Sequence, residues 1–121
     1  MDDDVTTAEL AARLDEPGLI ILDVRSVGEY TGERGSPCDP RQGHIPGARH
    51  LEVMALLGAE SVEAIRGLVG AEPGTEIVAY CHSGARSAHA VTALELAGYV
   101  ARNYRGSWHE WSRDDSLPIA S

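Results

Sequence analysis

Cys81 closes an apolar run, Ile77-Val78-Ala79-Tyr80, that begins after Glu76, and is followed at once by His82-Ser83-Gly84-Ala85-Arg86-Ser87 and a stretch of helix formers ending at Ala97-Gly98. A thiol between a buried strand and a helix faces the positive end of the helix dipole. The glycine lets the intervening backbone curl, so that successive N–H groups point inward as an anion-binding nest. Such surroundings bring a cysteine pKa from ~8.5 into the range of about 3.5 to 7.5, where the thiolate is the resting form and a nucleophile. Cys81 is therefore the expected nucleophile, with His82, Ser83, Gly84, Ala85, Arg86 and Ser87 as the substrate-binding loop. An inert cysteine ending a core strand is the bland alternative. Cys, Gly, Arg and Ser gathered at one strand-to-helix junction favour the functional reading.

The elements that must hold this loop are legible on either side of it. Thr6-Thr7-Ala8-Glu9 has the form of a capping box with Val5 and Leu10 as its hydrophobic staple, and the helix it starts ends at Glu16-Pro17-Gly18. Leu19 to Val24 is a second short apolar run, the pattern of a strand buried on both faces of a parallel sheet, and it carries Asp23 and Arg25 at its carboxyl end. The segment from Gly32 to Gly47 is rich in Gly, Pro and charge, which predicts a long functional or mobile loop. Ala48–Leu51 reads as a short strand, and Ser61–Val69 as a helix burying Val62, Ile65, Leu68 and Val69 with Gly70 past its end. The helix from about Arg86 to Ala97 is apolar on most sides and is expected to be deeply buried. A last strand at Tyr99–Ala101 and a helical turn at Ser107–Trp111 complete the chain. Strands alternating with helices at this spacing predict an α/β domain with a mostly parallel sheet, one domain over residues 1–121.

Composition narrows the partners. The chain of 121 residues has a net charge of -9, and its 10 basic residues are all arginine. No general basic surface is present to displace counterions from phosphate, so nucleic acid is excluded as a partner. The acidic start, Met1-Asp2-Asp3-Asp4, lacks the basic and apolar pattern of a leader, and Leu19–Leu22 is too short to span a bilayer, so the expectation is a cytoplasmic protein with no membrane partner. The 2 cysteines, Cys38 and Cys81, form no C-x-x-C pair; spacing suggests neither a redox pair nor a zinc site, and no metal or cofactor is expected.

Four segments, Leu22-Asp23-Val24-Arg25, Glu29-Tyr30 with Gly43-His44-Ile45-Pro46-Gly47-Ala48, Cys81 to Ser87, and Gly106-Ser107-Trp108-His109-Glu110-Trp111, resemble in order the motifs of the rhodanese family of sulfurtransferases. The long insert after Tyr30 and the Gly106–Trp111 tail look most like the catalytic half of tandem thiosulfate and mercaptopyruvate sulfurtransferases, while the Cys81 loop looks more like that of single-domain members. The resemblance implies a central parallel sheet flanked by helices and a persulfide carried on Cys81. Sulfur would move from a small donor such as thiosulfate to cyanide or a thiol in two steps, without cofactor. A carrier that hands sulfur to a protein partner is the non-enzymatic alternative. The other competitor is a cysteine phosphatase or arsenate reductase, whose loop has five residues between Cys and Arg; here four separate Cys81 from Arg86, one too few to wrap a tetrahedral oxyanion.

Supporting residues follow from position. Asp23 is expected to hold the loop, through its amides or through Arg86, and Arg25 to serve first as an ion-pair partner and second as a substrate contact. His82 and Ser83 are the loop side chains expected to face substrate, Ser83 matching mercaptopyruvate-type relatives. Some tandem relatives place a substrate-binding arginine directly before the tyrosine matching Tyr30; this chain has Glu29, leaving Arg34, Arg41 or Arg49 to compensate. His44 is expected to fix its turn by a hydrogen bond, and Trp108 and Trp111 to pack in the core. Cys38 is an incidental thiol or, as a second reading, a resolving partner for Cys81.

Overall fold

The computed structural model describes residues 4–121, so Asp2 and Asp3 of the acidic start lie outside the described residues. In chain order the elements are α1 (Thr7–Ala12), β1 (Leu19–Asp23), α2 (Val27–Thr31), β2 (Arg49–His50), α3 (Val53–Leu57), α4 (Val62–Val69), β3 (Glu76–Tyr80), α5 (Ala85–Leu96), β4 (Val100–Asn103) and α6 (Ser107–Trp111). The strands form one sheet in the order β2-β1-β3-β4, parallel throughout. The two apolar runs are neighbours in its centre, with Leu19 opposite Glu76 and Asp23 opposite Tyr80.

Why those runs are continuously apolar is explained by what covers them. Side chains alternate across a strand, so Ile20, Leu22, Ile77 and Ala79 face one layer and Ile21, Val78 and Tyr80 the other. The first set packs with residues of α3, α4 and α5, including Val53, Leu56, Ile65, Val69, Ala90 and Leu94. The second packs with Val5 and Leu10 on one side and Tyr104, Trp108 and Trp111 on the other. With both faces covered, alternation with polar residues has no place to appear. Asp23 and Tyr80 therefore reach the carboxyl rim side by side, where Cys81 emerges.

Several local expectations are refined. Thr6 caps α1 by accepting from the Glu9 amide, and the Glu9 side chain also pairs with Arg102. A complete capping box starts α2: the Ser26 and Glu29 side chains each accept from the other's backbone N–H. Leu68 is 45% exposed and Leu96 is 74% exposed, so α4 and α5 each bury one face only. In α5 that face is Ser87, Ala90, Ala93 and Leu94. The short helix α3 was not apparent from periodicity; it buries only Val53 and Leu56.

Candidate active site

β3 delivers Cys81 to the sheet rim, and α5 begins four residues later with Gly84 as its N-cap and no side chain satisfying its first amides. Those orphan donors turn to the sulfur. Gly84 N–H donates to Cys81 Sγ at 3.1 Å and Ser87 Oγ at 3.4 Å, and Ser107 Oγ stands at 4.0 Å. Burial pushes the Cys81 thiol up, yet the Ser87 hydroxyl and the amides of Ser87, Ser83 and Gly84 outweigh it, and the net shift is downward. Gly84 is required on two counts: its φ is +95°, and a Cβ there would stand 2.7 Å from the Arg105 carbonyl oxygen.

The loop is held open by bonds on its outer side. The carbonyls of Cys81 and His82 accept from the Trp108 and His109 amides, both at 2.9 Å, and the Gly84 carbonyl accepts from Asn103 Nδ2 at 3.2 Å. In a trans peptide the C=O and the following N–H point opposite ways, so the His82 carbonyl drawn outward aims the Ser83 amide inward at the sulfur. Ser107 completes the clamp by accepting from the Cys81 amide at 3.0 Å and donating to the Tyr104 carbonyl at 2.8 Å. It is the non-glycine residue with positive φ among the described residues, at 55°, and this turn brings the start of α6 over the loop. Neither Ser107 nor Asn103 was singled out from sequence; the Gly106–Trp111 motif was the only signal.

Asp23 does not hold the loop in either expected way. Its carboxylate accepts from Arg25 Nη2 at 2.7 Å and from Tyr80 Oη at 2.7 Å, with no hydrogen bond to the loop amides or to Arg86. Arg25 is 1% exposed, forks onto Asp23, donates to the Gly43 carbonyl at 2.6 Å and lies 5.1 Å from the Trp108 ring. With Nε and Nη2 committed to Asp23 and the Gly43 carbonyl, this buried guanidinium is an ion-pair partner, the first of its two expected roles. Tyr80, whose hydroxyl also accepts from the Ile45 amide at 3.0 Å, joins the same network, which pins the Gly43–Ile45 turn to the sheet rim. His44 fixes that turn through Nδ1 to the Tyr30 carbonyl at 2.7 Å and stacks on the Tyr30 ring at 3.8 Å. Trp108 and Trp111 are fully buried core residues.

Arg86 is half-buried and held by Glu29 through two bonds of 2.9 and 3.1 Å. Burial pushes the Glu29 carboxyl up, but Arg86 and Ser26 pull it down to about 2, so the pair is ionised at neutral pH. Glu29 thus sits on the charge the loop offers to an anion. Arg41 does not compensate: it donates to the backbone carbonyls of Trp111, Ser112, Asp114 and Leu117. Arg34 and Arg49 are exposed. Of the two side chains expected to face substrate, Ser83 is exposed while His82 reaches Asp39, its Nε2 3.0 Å from Oδ2. Two surface concavities, of about 310 Å³ beside Tyr104 and about 290 Å³ between α3, α4 and α5, are not lined by Cys81.

The structure is an α/β domain whose covered parallel sheet presents a lowered Cys81 thiol to loop amides and hydroxyls. The chain belongs to the rhodanese-like domain family, whose model matches residues 6–114. It is 38% identical over 126 residues to a probable 3-mercaptopyruvate sulfurtransferase of Pseudomonas aeruginosa, covering 97% of this chain and 44% of that protein. It is 37% identical over 115 residues to the sulfur carrier protein TtuD of Thermus thermophilus, covering 83% of this chain and 40% of that one. The solved structure of a probable thiosulfate sulfurtransferase superposes with a TM-score of 0.84 at 42% identity, covering 99% of this chain and 48% of that one. The chain thus spans less than half the length of these relatives.

Proposed function

We propose that the chain, one domain over residues 1–121, is a sulfurtransferase that carries sulfane sulfur as a persulfide on Cys81. The observation that carries the reading is the Cys81 thiol lowered by the Ser87 hydroxyl and the loop amides despite its burial. The Cys81 thiolate attacks the outer sulfur of thiosulfate; the S–S bond of the donor breaks and its electron pair leaves with sulfite. Cyanide or a thiolate then takes the outer persulfide sulfur, and the bonding pair returns to Cys81 as thiolate. No proton transfer is needed at the sulfur, and the amides of Ser83, Gly84 and Ser87 stabilise the negative charge in both states. His82, Ser83, Gly84, Ala85, Arg86 and Ser87 form the wall that the donor meets, while Asp23 and Arg25 position the rim. No cofactor enters. Among the described residues no helix is long and apolar enough to cross a membrane, and we place the protein in the cytoplasm.

Purified protein given thiosulfate and cyanide should release thiocyanate with ping-pong kinetics. Turnover of p-nitrophenyl phosphate or arsenate with no thiocyanate would overturn the reading. The sulfur-carrier name of the Thermus thermophilus relative supports a second one, in which Cys81 loads but passes sulfur to a protein acceptor. Cyanolysis of the loaded protein separates them: rapid thiocyanate release marks the enzyme, a stable persulfide the carrier.

A further inference from the structure

Cys38 and Asp39 lie in the Gly/Pro-rich connection, His82 in the loop after β3, and His109 in α6; no spacing rule links them, yet one ligand atom from each lies within 4.8 Å of all the others. Asp39 is the hub. Its Oδ1 stands 3.8 Å from Cys38 Sγ, 3.3 Å from His82 Nε2 and 3.9 Å from His109 Nδ1. The His82 and His109 rings meet edge-on with centroids 5.5 Å apart.

A second observation points to a ligand. The Asp39 side chain is 1% exposed although the residues around it are mostly open to solvent. Its Oδ2 is buried without a hydrogen bond, 3.0 Å from His82 Nε2 but not aligned for one. A buried carboxylate oxygen without a hydrogen bond is costly, and Oδ2 is the oxygen of Asp39 left to accept a ligand. Arg113 does not reach this atom: its Nη1 donates to Oδ1 at 2.9 Å, and it ties the neighbouring segments together through the His109 and Cys38 carbonyls at 2.6 and 2.7 Å.

We infer that Cys38, Asp39, His82 and His109 form a binding site for a divalent transition metal of the zinc type. One thiolate, one carboxylate and two imidazoles are a borderline-soft donor set that suits Zn²⁺ in tetrahedral geometry. Metal–ligand distances of about 2.0 to 2.3 Å put tetrahedral ligand atoms roughly 3.2 to 3.8 Å apart, and the separations to Asp39 are already close to that. Ser36 Oγ, 2.9 Å from Cys38 Sγ, and Arg113 on Asp39 Oδ1 supply the outer bonds that orient such ligands. On binding, the Cys38 thiol proton leaves to solvent, with no oxidation or reduction. Because His82 follows Cys81 directly, the bound metal would staple the Gly32–Gly47 connection to the nucleophile's loop. This goes beyond sulfur transfer and does not depend on it.

Cobalt(II) chloride titrated into the Cys81→Ser chain tests the site, since position 81 then contributes no thiolate. The expected result is uptake of one Co²⁺ per chain with the intense visible bands of a tetrahedral site and a sulfur-to-metal charge-transfer band, displaced by Zn²⁺. Cys38→Ser added to that chain should remove the charge-transfer band, and His109→Ala should weaken Co²⁺ binding at least tenfold. Both side chains are exposed, so the thermal unfolding midpoint without metal should be unchanged. Absence of stoichiometric uptake, or a charge-transfer band that survives Cys38→Ser, overturns the assignment.

Discussion

Cys81 lies buried at the end of a central strand, whereas Cys38 is exposed in the Gly/Pro-rich connection, and both are free thiols. Around Cys81 the donors are backbone amides and hydroxyls fixed by α5 and the Ser107 turn. Around Cys38 the groups are side chains of Ser36, Asp39, His82 and His109, which are lone-pair donors suited to a cation. The first setting stabilises negative charge on sulfur without lending it a metal partner, which suits a nucleophile that must release what it picks up. The second assembles ligands. Chemical identity thus counts for less than whether the neighbours are N–H groups or unshared electron pairs.

The largest effect should come from exchanging the two thiols for hydroxyls. Cys81→Ser removes the bond-forming atom and should lower thiocyanate formation by on the order of 10³-fold or more, while Cys38→Ser should leave it within about twofold, as expected of a thiol outside the reacting groups. A comparable loss in both variants would break the contrast. A smaller change is expected from Ser87→Ala, which removes a hydroxyl that favours the Cys81 thiolate. Its pH profile of iodoacetamide alkylation should move to higher pH, with slower labelling at neutral pH, and the Cys38 profile should not move. Smaller still, Glu29→Gln releases Arg86 toward an anionic donor and should lower the KM for thiosulfate by about threefold to tenfold. The same variant sharpens the acid limb of stability. Glu29 falls from its ordinary 4.5 to about 2 in the folded protein, so its contribution is present above pH 4.5 and lost as pH falls toward 2. Unfolding midpoints of wild type and Glu29→Gln should therefore converge over that range.

The contrast also marks what a sequence exposes. Leu19–Asp23 and Glu76–Tyr80 were legible because a strand buried on both faces is apolar over most of its length, as Leu19–Leu22 and Ile77–Tyr80 are, and Cys81 was legible because its loop is contiguous. Groups that meet only after folding were not. Arg86 and Glu29 are 57 positions apart, and Asp39, His82 and His109 come from three segments that spacing alone does not link. Asp23 was rightly placed at the rim, but its partner Arg25 is only two residues away, and nothing in the chain order decided between that neighbour and Arg86. The positive φ of Ser107 is imposed by the Cys81 and Tyr104 backbone groups it joins, a tertiary demand with no local signature.

Intact and peptide mass analysis after treatment with thiosulfate tests the central claim most directly. One sulfur atom should be gained at Cys81, reversed by cyanide and absent in Cys81→Ser, with Cys38 unmodified. Sulfur found on Cys38, or no gain at all while the protein still makes thiocyanate, would contradict it.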